Sequence, residues 1–207
     1  MSFAPVACVS AARVIPVLTP TTVTTGVAVS RILFEAGLHV QEITLRNPSG
    51  LQTLSALRRD LPELVVGAGS VLTPRLGGDA IQAGAQFLVS PGTTEMLLQF
   101  AVDCGVPFLP GVASVSEIMR VQALGCELAK LFPAQALGGI GFLRSVAGPL
   151  PAMKFCPTGG IDPRLAADYL ALSNVAAVGG SWMAPEELID QGRFDDIRRL
   201  AEQAMAL

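Results

Sequence analysis

Short apolar stretches rich in Val, Ile and Leu recur along the chain about every 20 to 26 residues. There are eight: VIPVL from Val14, VQEITLR from Val40, VVGAGSV from Val65, FLVSPG from Phe87, FLPGV from Phe108, LAKLFP from Leu128, MKFCPTGG from Met153 and AAVGGSW from Ala176. Each stretch has the length and composition of a buried β-strand.

Segments with a helical spacing of apolar residues lie between these stretches, for example at 27–36, 51–61, 75–83, 94–104 and 114–124, and a last one at 185–206. Strands that alternate with helices form a parallel sheet, because each parallel connection needs a crossover. Eight such units in 207 residues predict one α/β domain over 1–207, a closed (β/α)8 TIM barrel. Gly37 and Gly84 follow predicted helices and are expected to cap them.

Composition favours a well-packed core and excludes several classes of protein. Hydrophobic residues make up 51% of the chain and charged residues 15%, yet no apolar stretch is long enough for a membrane-spanning helix. The segment 1–12 lacks a basic start, so we do not expect a signal peptide or a membrane partner. A net charge of −3 argues against a nucleic-acid partner. The four cysteines are far apart with no CxxC, which indicates a reducing, cytoplasmic setting.

Two scarcities restrict the possible chemistry. A single histidine, His39, leaves little material for a histidine metal site or a Ser-His-Asp triad, so we expect neither a metal nor another cofactor. Only Lys130 and Lys154 are lysines, against twelve arginines. This bias is explained equally by a GC-rich genome, but genome composition does not explain where the two lysines lie.

Lys130 lies in the sixth apolar stretch, on the same face as Leu128 and Phe132. If Ala129 and Leu131 face the helices, the lysine points into the barrel. Burial favours the neutral amine, which is the nucleophile that forms Schiff bases. The alternative is a structural lysine held by a carboxylate.

Glu42 and Arg46 share one face of the second stretch with Thr44. A carboxylate there suits proton transfer, and a guanidinium suits a bidentate grip on a substrate carboxylate. The alternative is a structural Glu-Arg-Lys network inside the barrel.

Paired glycines follow the last two predicted strands, at Gly159-Gly160 and at Gly179-Gly180, the latter followed by Ser181. Loops at these two positions of a barrel commonly bind phosphate through backbone N–H groups and a helix N-terminus. Lys154 is expected to point inward near the base with a structural role. His39 is expected at the surface or in packing, Cys156 in the core, and Asp195-Asp196 at the surface or a helix start.

Eight motifs in order along nearly the whole chain resemble the 2-keto-3-deoxy-6-phosphogluconate (KDPG) aldolases, which often also cleave 4-hydroxy-2-oxoglutarate. They are VIPVL (14–18), EITLR (42–46), GAGSVL (67–72), SPGT (90–93), PGVA (110–113), KLFPA (130–134), CPTGGI (156–161) and GGSW (179–182).

The resemblance implies a class I, metal-independent aldehyde-lyase that is cytoplasmic, trimeric and specific for a small phosphorylated 2-oxo acid. By resemblance, Lys130 forms the Schiff base and Glu42 is the general acid/base. Five residues are implied around the pyruvate half, namely Arg46, Ser70, Pro91, Phe132 and Thr158. Five more are implied to take the distal phosphate, namely Gly159, Gly160, Gly179, Gly180 and Ser181.

Three departures from the family pattern bear on the choice of substrate. Ser70 stands where the family more often has Thr. Gln135 and Leu137 differ from the residues that commonly follow the lysine strand in the family. The Asn47-Pro48 sequence after Arg46 resembles the corresponding loop of enzymes that act on the galactonate epimer. The alternatives are therefore an aldolase for that epimer or for unphosphorylated 4-hydroxy-2-oxoglutarate, a phosphosugar isomerase or epimerase, and a non-catalytic phosphometabolite-binding barrel.

Overall fold

The computed structural model describes residues 6–207, so the first five residues of the segment considered for a signal peptide lie outside it. Every predicted apolar stretch contains a strand. The strands are β1 (Val14–Leu18), β2 (Val40–Thr44), β3 (Val65–Gly69), β4 (Phe87–Val89), β5 (Phe108–Leu109), β6 (Gly111–Val112), β7 (Leu128–Leu131), β8 (Lys154–Pro157) and β9 (Val178–Gly180). The fifth stretch supplies both β5 and β6, which are separated by Pro110.

Ten α-helices are assigned within residues 6–207: α1 (Ala7–Ala11), α2 (Val23–Glu35), α3 (Ser49–Asp60), α4 (Pro74–Gln82), α5 (Glu95–Asp103), α6 (Val115–Ala123), α7 (Gly139–Ala147), α8 (Pro163–Leu170), α9 (Glu186–Asp190) and α10 (Phe194–Met205). None of them combines the length and the apolar composition needed to cross a bilayer. Thr22, Thr73, Thr94, Ser114 and Asp162 cap helix N-termini with side-chain oxygens.

All strand pairs are parallel, as the alternation of strands and helices predicted. They form a six-stranded sheet in the order β5-β4-β3-β2-β1-β9 and a three-stranded sheet in the order β6-β7-β8. Two isolated parallel bridges, Phe155 to Val175 and Thr158 to Gly179, connect the β8 and β9 segments. The fold is thus an α/β fold with a curled parallel sheet, assigned as two sheets and not as one continuous eight-stranded ring.

Side chains alternate between two apolar layers. Ile43, Ala129 and Leu131 belong to a large outer core between the sheet and the helices. A smaller inner cluster contains luminal side chains from the strands, including Ile15, Phe87, Val89, Leu109, Leu128 and Cys156. This arrangement confirms the predicted alternation on the lysine strand.

Helix α1 covers the base of the inner cluster. Val9 is fully buried and packs with the luminal residues, and Val6 is nearly so. The helix leads directly into β1, so it lies at the N-terminal ends of the strands.

The helix predictions agree with the structure within a few residues, with one correction at the C-terminus. Gly37 and Gly84 have positive φ angles of 101° and 96° after α2 and α4, as predicted. The single helix predicted over 185–206 is wrong. It is divided into α9 and α10 at Gly192, whose φ is 66°. Asp195 and Asp196 lie in the first turn of α10, where carboxylates stabilise a helix.

Candidate active site

A buried ion pair between Lys130 and Glu42 lies inside the curled sheet. Lys130 Nζ is 3.2 Å from Glu42 Oε1 and 3.3 Å from Oε2. The two residues are 5% and 4% exposed. β7 and β2 are not neighbouring strands, so the two side chains meet only because the sheet curls. The prediction that Lys130 and Glu42 point inward is confirmed.

Small residues on the neighbouring strands surround this pair, and one of them makes room for it. Lys130 pairs in register with Gly111 on β6 and with Cys156 on β8. On β3, a Cβ placed on Gly69 would overlap the Glu42 carboxylate, so glycine leaves the space that this side chain occupies. The Lys130 amine also lies 5.5 Å from the centroid of the Phe132 ring.

Arg46 and Ser70 meet at the mouth of the curled sheet, beyond the C-terminal ends of β2 and β3. β2 ends at Thr44, so Arg46 lies beyond the strand and is exposed rather than inward within it. Its Nε donates a hydrogen bond of 3.3 Å to Ser70 Oγ. Ser70 has a φ of 60°, an uncommon conformation outside glycine, directly after β3. The two groups predicted to hold a carboxylate are therefore brought together.

The other predicted pocket residues lie around the same strand ends. Pro91 follows β4, half-buried, and its carbonyl group occupies the place that a Cβ on Gly111 would need. Thr158 is buried after β8, and its Oγ1 donates to Cys156 O at 3.4 Å.

The two glycine pairs approach each other through the bridge between Thr158 and Gly179. Gly159 and Gly160 have positive φ angles of 102° and 75° and precede α8. The prediction that Gly179 and Gly180 follow the last strand is wrong, because both lie within β9. Ser181 then follows, exposed.

The Trp182 ring lies against Gly180, where a Cβ would overlap it, and Thr158 Oγ1 lies against Gly179 in the same way. Side chains larger than hydrogen are therefore excluded from both positions.

The remaining candidates are structural. The prediction that Lys154 points inward is wrong: its side chain is exposed, and Nζ donates to Ser173 O at 2.7 Å. His39 is exposed with its ring 4.8 Å from that of Phe34. Cys156 is buried beside Lys130, and burial raises the pKa of its thiol to about 12. Within the described range no cluster of His, Cys, Asp or Glu is arranged to hold a metal ion.

Arg46 and Ser181 line one cavity of about 220 Å³ at the mouth. Thr19 lines it as well, and Thr19 accepts a hydrogen bond from buried Thr44. Sequence reasoning placed Thr44 on the face of Glu42 without a role and missed Thr19 and Gly69. The available signals were the hydroxyl at the end of the first strand and the alternating glycines of VVGAG.

Comparison with known proteins gives one consistent family. Residues 6–200 match the family model described as KDPG and KHG aldolase. The chain is 45% identical to the 2-dehydro-3-deoxy-phosphogluconate aldolase of Pseudomonas aeruginosa over 194 residues, 94% of this chain and 88% of that protein. It is 41% identical to the KHG/KDPG aldolase of Escherichia coli K12, over 93% and 90% of the two chains.

A solved structure agrees with this comparison. The KDPG aldolase of Legionella pneumophila, with pyruvate captured as a covalent carbinolamine intermediate, superposes with a TM-score of 0.93. The two chains are 42% identical, and the match covers 96% of each.

Proposed function

The chain belongs to the KDPG and KHG aldolase family, and we propose that it is a class I lyase that cleaves 2-keto-3-deoxy-6-phosphogluconate to pyruvate and glyceraldehyde 3-phosphate. The observation that carries the proposal is the buried Lys130–Glu42 pair, with Nζ and Oε1 3.2 Å apart. A buried amine needs a compensating group, and a carboxylate within reach of the same amine also suits proton transfer.

Lys130 supplies the nucleophile in this mechanism. Its amine attacks the C2 carbonyl carbon, and loss of water gives an iminium. Glu42 takes the proton of the C4 hydroxyl, the C3–C4 bond breaks, and the electron pair is held as an enamine while the aldehyde leaves. Protonation at C3 and hydrolysis then release pyruvate and free the amine. Covalent catalysis divides one difficult cleavage into easier steps.

The groups at the mouth hold the two anionic ends of the substrate. Arg46 and Ser70 are hydrogen-bonded to each other at 3.3 Å and present a cation and a hydroxyl for the C1 carboxylate. Pro91, Phe132 and Thr158 surround the pyruvate half. Backbone N–H groups at the two glycine pairs, with the Ser181 hydroxyl, take the distal phosphate. No metal or other cofactor takes part in the proposal.

Activity on 4-hydroxy-2-oxoglutarate is a second part of the proposal. The E. coli relative carries both activities in its name, KHG/KDPG aldolase. Both substrates share the 2-oxo acid end, so they place the same carbonyl at Lys130 and differ only beyond C4. The galactonate epimer of the substrate has the same 2-oxo acid end and would also place its carbonyl at Lys130. An aldolase for that epimer is therefore the alternative to the proposed function.

The remaining structural proposals concern the whole chain. We propose that residues 1–207 form one domain in which the two sheets close into a (β/α)8 barrel. Pro110 interrupts a single strand, since its carbonyl still accepts from Lys130 N–H at 2.8 Å, and the β8–β9 bridges supply the last connection. A cytoplasmic location is favoured by the four free cysteines.

Association of copies of this chain, which by resemblance form a homotrimer, is favoured by exposed apolar side chains at one rim. They lie at or near the N-terminal ends of α4, α5 and α6 and comprise Leu72, Met96, Val115 and Met119. Met96 is 68% exposed, and the Arg120–Glu95 ion pair links α6 to α5 beside it. Patches of this kind mark protein interfaces.

Trapping with borohydride tests the proposed reaction. The protein is incubated with pyruvate and sodium borohydride, its intact mass is recorded, and the adduct is mapped by digestion. We expect one reduced pyruvate on Lys130 and none in Lys130→Arg. Lys154→Arg is the matched control and should give the full adduct. Folded protein without an adduct would contradict the Schiff-base mechanism, and an adduct on Lys154 would contradict the assigned lysine.

A further inference from the structure

Two threonine hydroxyls form a pair just above the ion pair. Thr44 follows Glu42 by two residues on the same luminal face of β2 and is fully buried. β1 and β2 are paired with Val17 opposite Glu42 and Leu18 opposite Ile43, so Thr19 comes next to Thr44. The Thr44 hydroxyl donates to Thr19 Oγ1 at 2.9 Å.

The Thr19 hydroxyl proton remains available for a further hydrogen bond. A hydroxyl has one proton to donate, and Thr44 uses its proton on Thr19. The Thr19 proton has no acceptor among residues 6–207. Thr19 is exposed and lines the same cavity as Arg46 and Ser181, the residues proposed for the two ends of the substrate. Thr44 thus fixes the oxygen of Thr19 and leaves its proton for a ligand.

The height of the pair in the barrel indicates which substrate group it meets. Two residues along a strand separate their Cα atoms by about 7 Å, so the pair projects from the strands one pleat nearer the mouth than Glu42 does. This step rests on the proposed function, in which Glu42 works on the C4 hydroxyl. The next hydroxyl toward the mouth is then the one on C5, which comes from C2 of glyceraldehyde 3-phosphate.

We propose that Thr19, held by Thr44, donates a hydrogen bond to the C5 hydroxyl and is a specificity-determining residue of this chain. The pair favours aldehydes with a hydroxyl next to the carbonyl carbon. An aldehyde without that hydroxyl leaves the Thr19 donor without its partner.

Two aldehydes that differ only in this hydroxyl test the proposal. Aldol addition to pyruvate is measured with D-glyceraldehyde 3-phosphate and with its deoxy counterpart, 3-oxopropyl phosphate. In Thr19→Val we expect kcat/KM to fall about three- to tenfold for the hydroxy aldehyde, the range for one lost hydrogen bond between uncharged groups, and to stay constant for the deoxy aldehyde. Thr19→Ser keeps the hydroxyl and should behave like the wild type.

The other outcomes overturn the proposal. Equal losses with both aldehydes would mean a structural role for Thr19, and no loss with either would mean no contact with the substrate. Borohydride trapping of pyruvate on each variant separates these results from failure of the proposed function. If the wild-type protein traps pyruvate but accepts neither aldehyde, both the proposed substrate and the proposed role of Thr19 would be contradicted.

Discussion

The absence of a side chain at Gly69 shapes the buried Lys130–Glu42 pair as much as the side chains that are present. A Cβ at this position would overlap the Glu42 carboxylate. The same carboxylate accepts a hydrogen bond from the Lys130 amine on β7. Glu42 is therefore held between β3 and β7, with little freedom to move.

We predict that Gly69→Ala displaces Glu42 from Lys130. Proton transfer depends on the position of the carboxylate, so exchange of the pyruvate methyl protons with D2O should fall at least tenfold. Overpacking should also cost about 1–3 kcal/mol of unfolding free energy. NMR detects the exchange, and borohydride trapping shows whether Lys130 still reacts. Gly78→Ala, with open space around it, is the control. Exchange at the wild-type rate in Gly69→Ala would show that Glu42 tolerates the extra atom.

The buried thiols predict a dependence of stability on pH. Burial raises the pKa of Cys126 to about 11 and that of Cys156 to about 12, against an ordinary value of 9.0. Below pH 9 both thiols are protonated in the folded and unfolded states, so their contribution to stability is fully present. Above pH 9 the unfolded thiols ionise first, so the unfolding free energy should decrease as the pH rises toward 12.

Alkylation measures the same property at a fixed pH. At pH 8, iodoacetamide should leave Cys126 and Cys156 unmodified in the folded protein, because the thiolate is the reactive form. Urea-unfolded protein is the control and should be alkylated at both. Mass spectrometry of the digested protein reports each site. Rapid labelling of folded Cys156 would contradict its buried position.

The sequence predicted the candidate site residues whose side-chain chemistry is unusual for their position. It missed residues whose roles depend only on what they contact in the folded protein. Lys130 and Glu42 stand out because charged side chains on a luminal face need an explanation. Thr19 and Gly69 have ordinary types, and their roles depend on contacts across strands that no local pattern contains. Lys154 was placed inward by alternation, but it begins β8, where the side chain reaches solvent and a backbone carbonyl.

Turns decide where the helices end. The apolar spacing over 185–206 continues through Gly192, so periodicity alone predicts one helix there. The structure ends α9 at Asp190 and begins α10 at Phe194, with Gly192 in the left-handed region between them. Threonine and serine caps mark the observed starts of α2, α4, α5 and α6, which lie within four residues of the starts predicted from apolar spacing.

We predict that Gly192→Ala destabilises the protein by about 1 kcal/mol, since a side chain disfavours the left-handed conformation. Its surroundings are open, so no steric clash adds to that cost. Gly78→Ala has the opposite expectation, a gain of about 0.5–1 kcal/mol, because Gly78 lies inside α4 with open space around it. Urea unfolding compares the two variants. A stable Gly192→Ala would mean that the connection can adopt another turn.

At the scale of the molecule, the pattern of eight apolar stretches predicted the position of every strand but not the division of the strands into two sheets. The β8 and β9 segments of the two sheets are connected by isolated bridges, and such bridges leave no mark on hydrophobic spacing. Pro110 removes one backbone donor within the fifth stretch, which explains the division into β5 and β6. The spacing of apolar residues does not reveal oligomer formation either, because apolar residues at an interface cannot be told apart in the sequence from other exposed apolar residues.

We predict that the paired substitution Met96→Lys and Met119→Lys dissociates the proposed trimer. Four exposed apolar side chains share this rim, and two charges would oppose their burial. Light scattering after size-exclusion chromatography measures the mass of the particle. Met205→Lys, which is also exposed (49%) but lies on α10, is the control and should leave the mass unchanged. A wild-type monomer would contradict the trimer.

Helix α1 closes the base of the inner cluster, with Val9 fully buried against luminal residues. With α1 covering this end, we expect substrate and products to pass through the opposite end of the curled sheet. In the proposed mechanism the pyruvate half is bound covalently to Lys130, and the aldehyde half lies nearer the mouth. We therefore expect an ordered release of products, in which the aldehyde leaves first and pyruvate second. In the synthetic direction pyruvate binds first, so excess aldehyde at the mouth should slow the enzyme as a dead-end inhibitor.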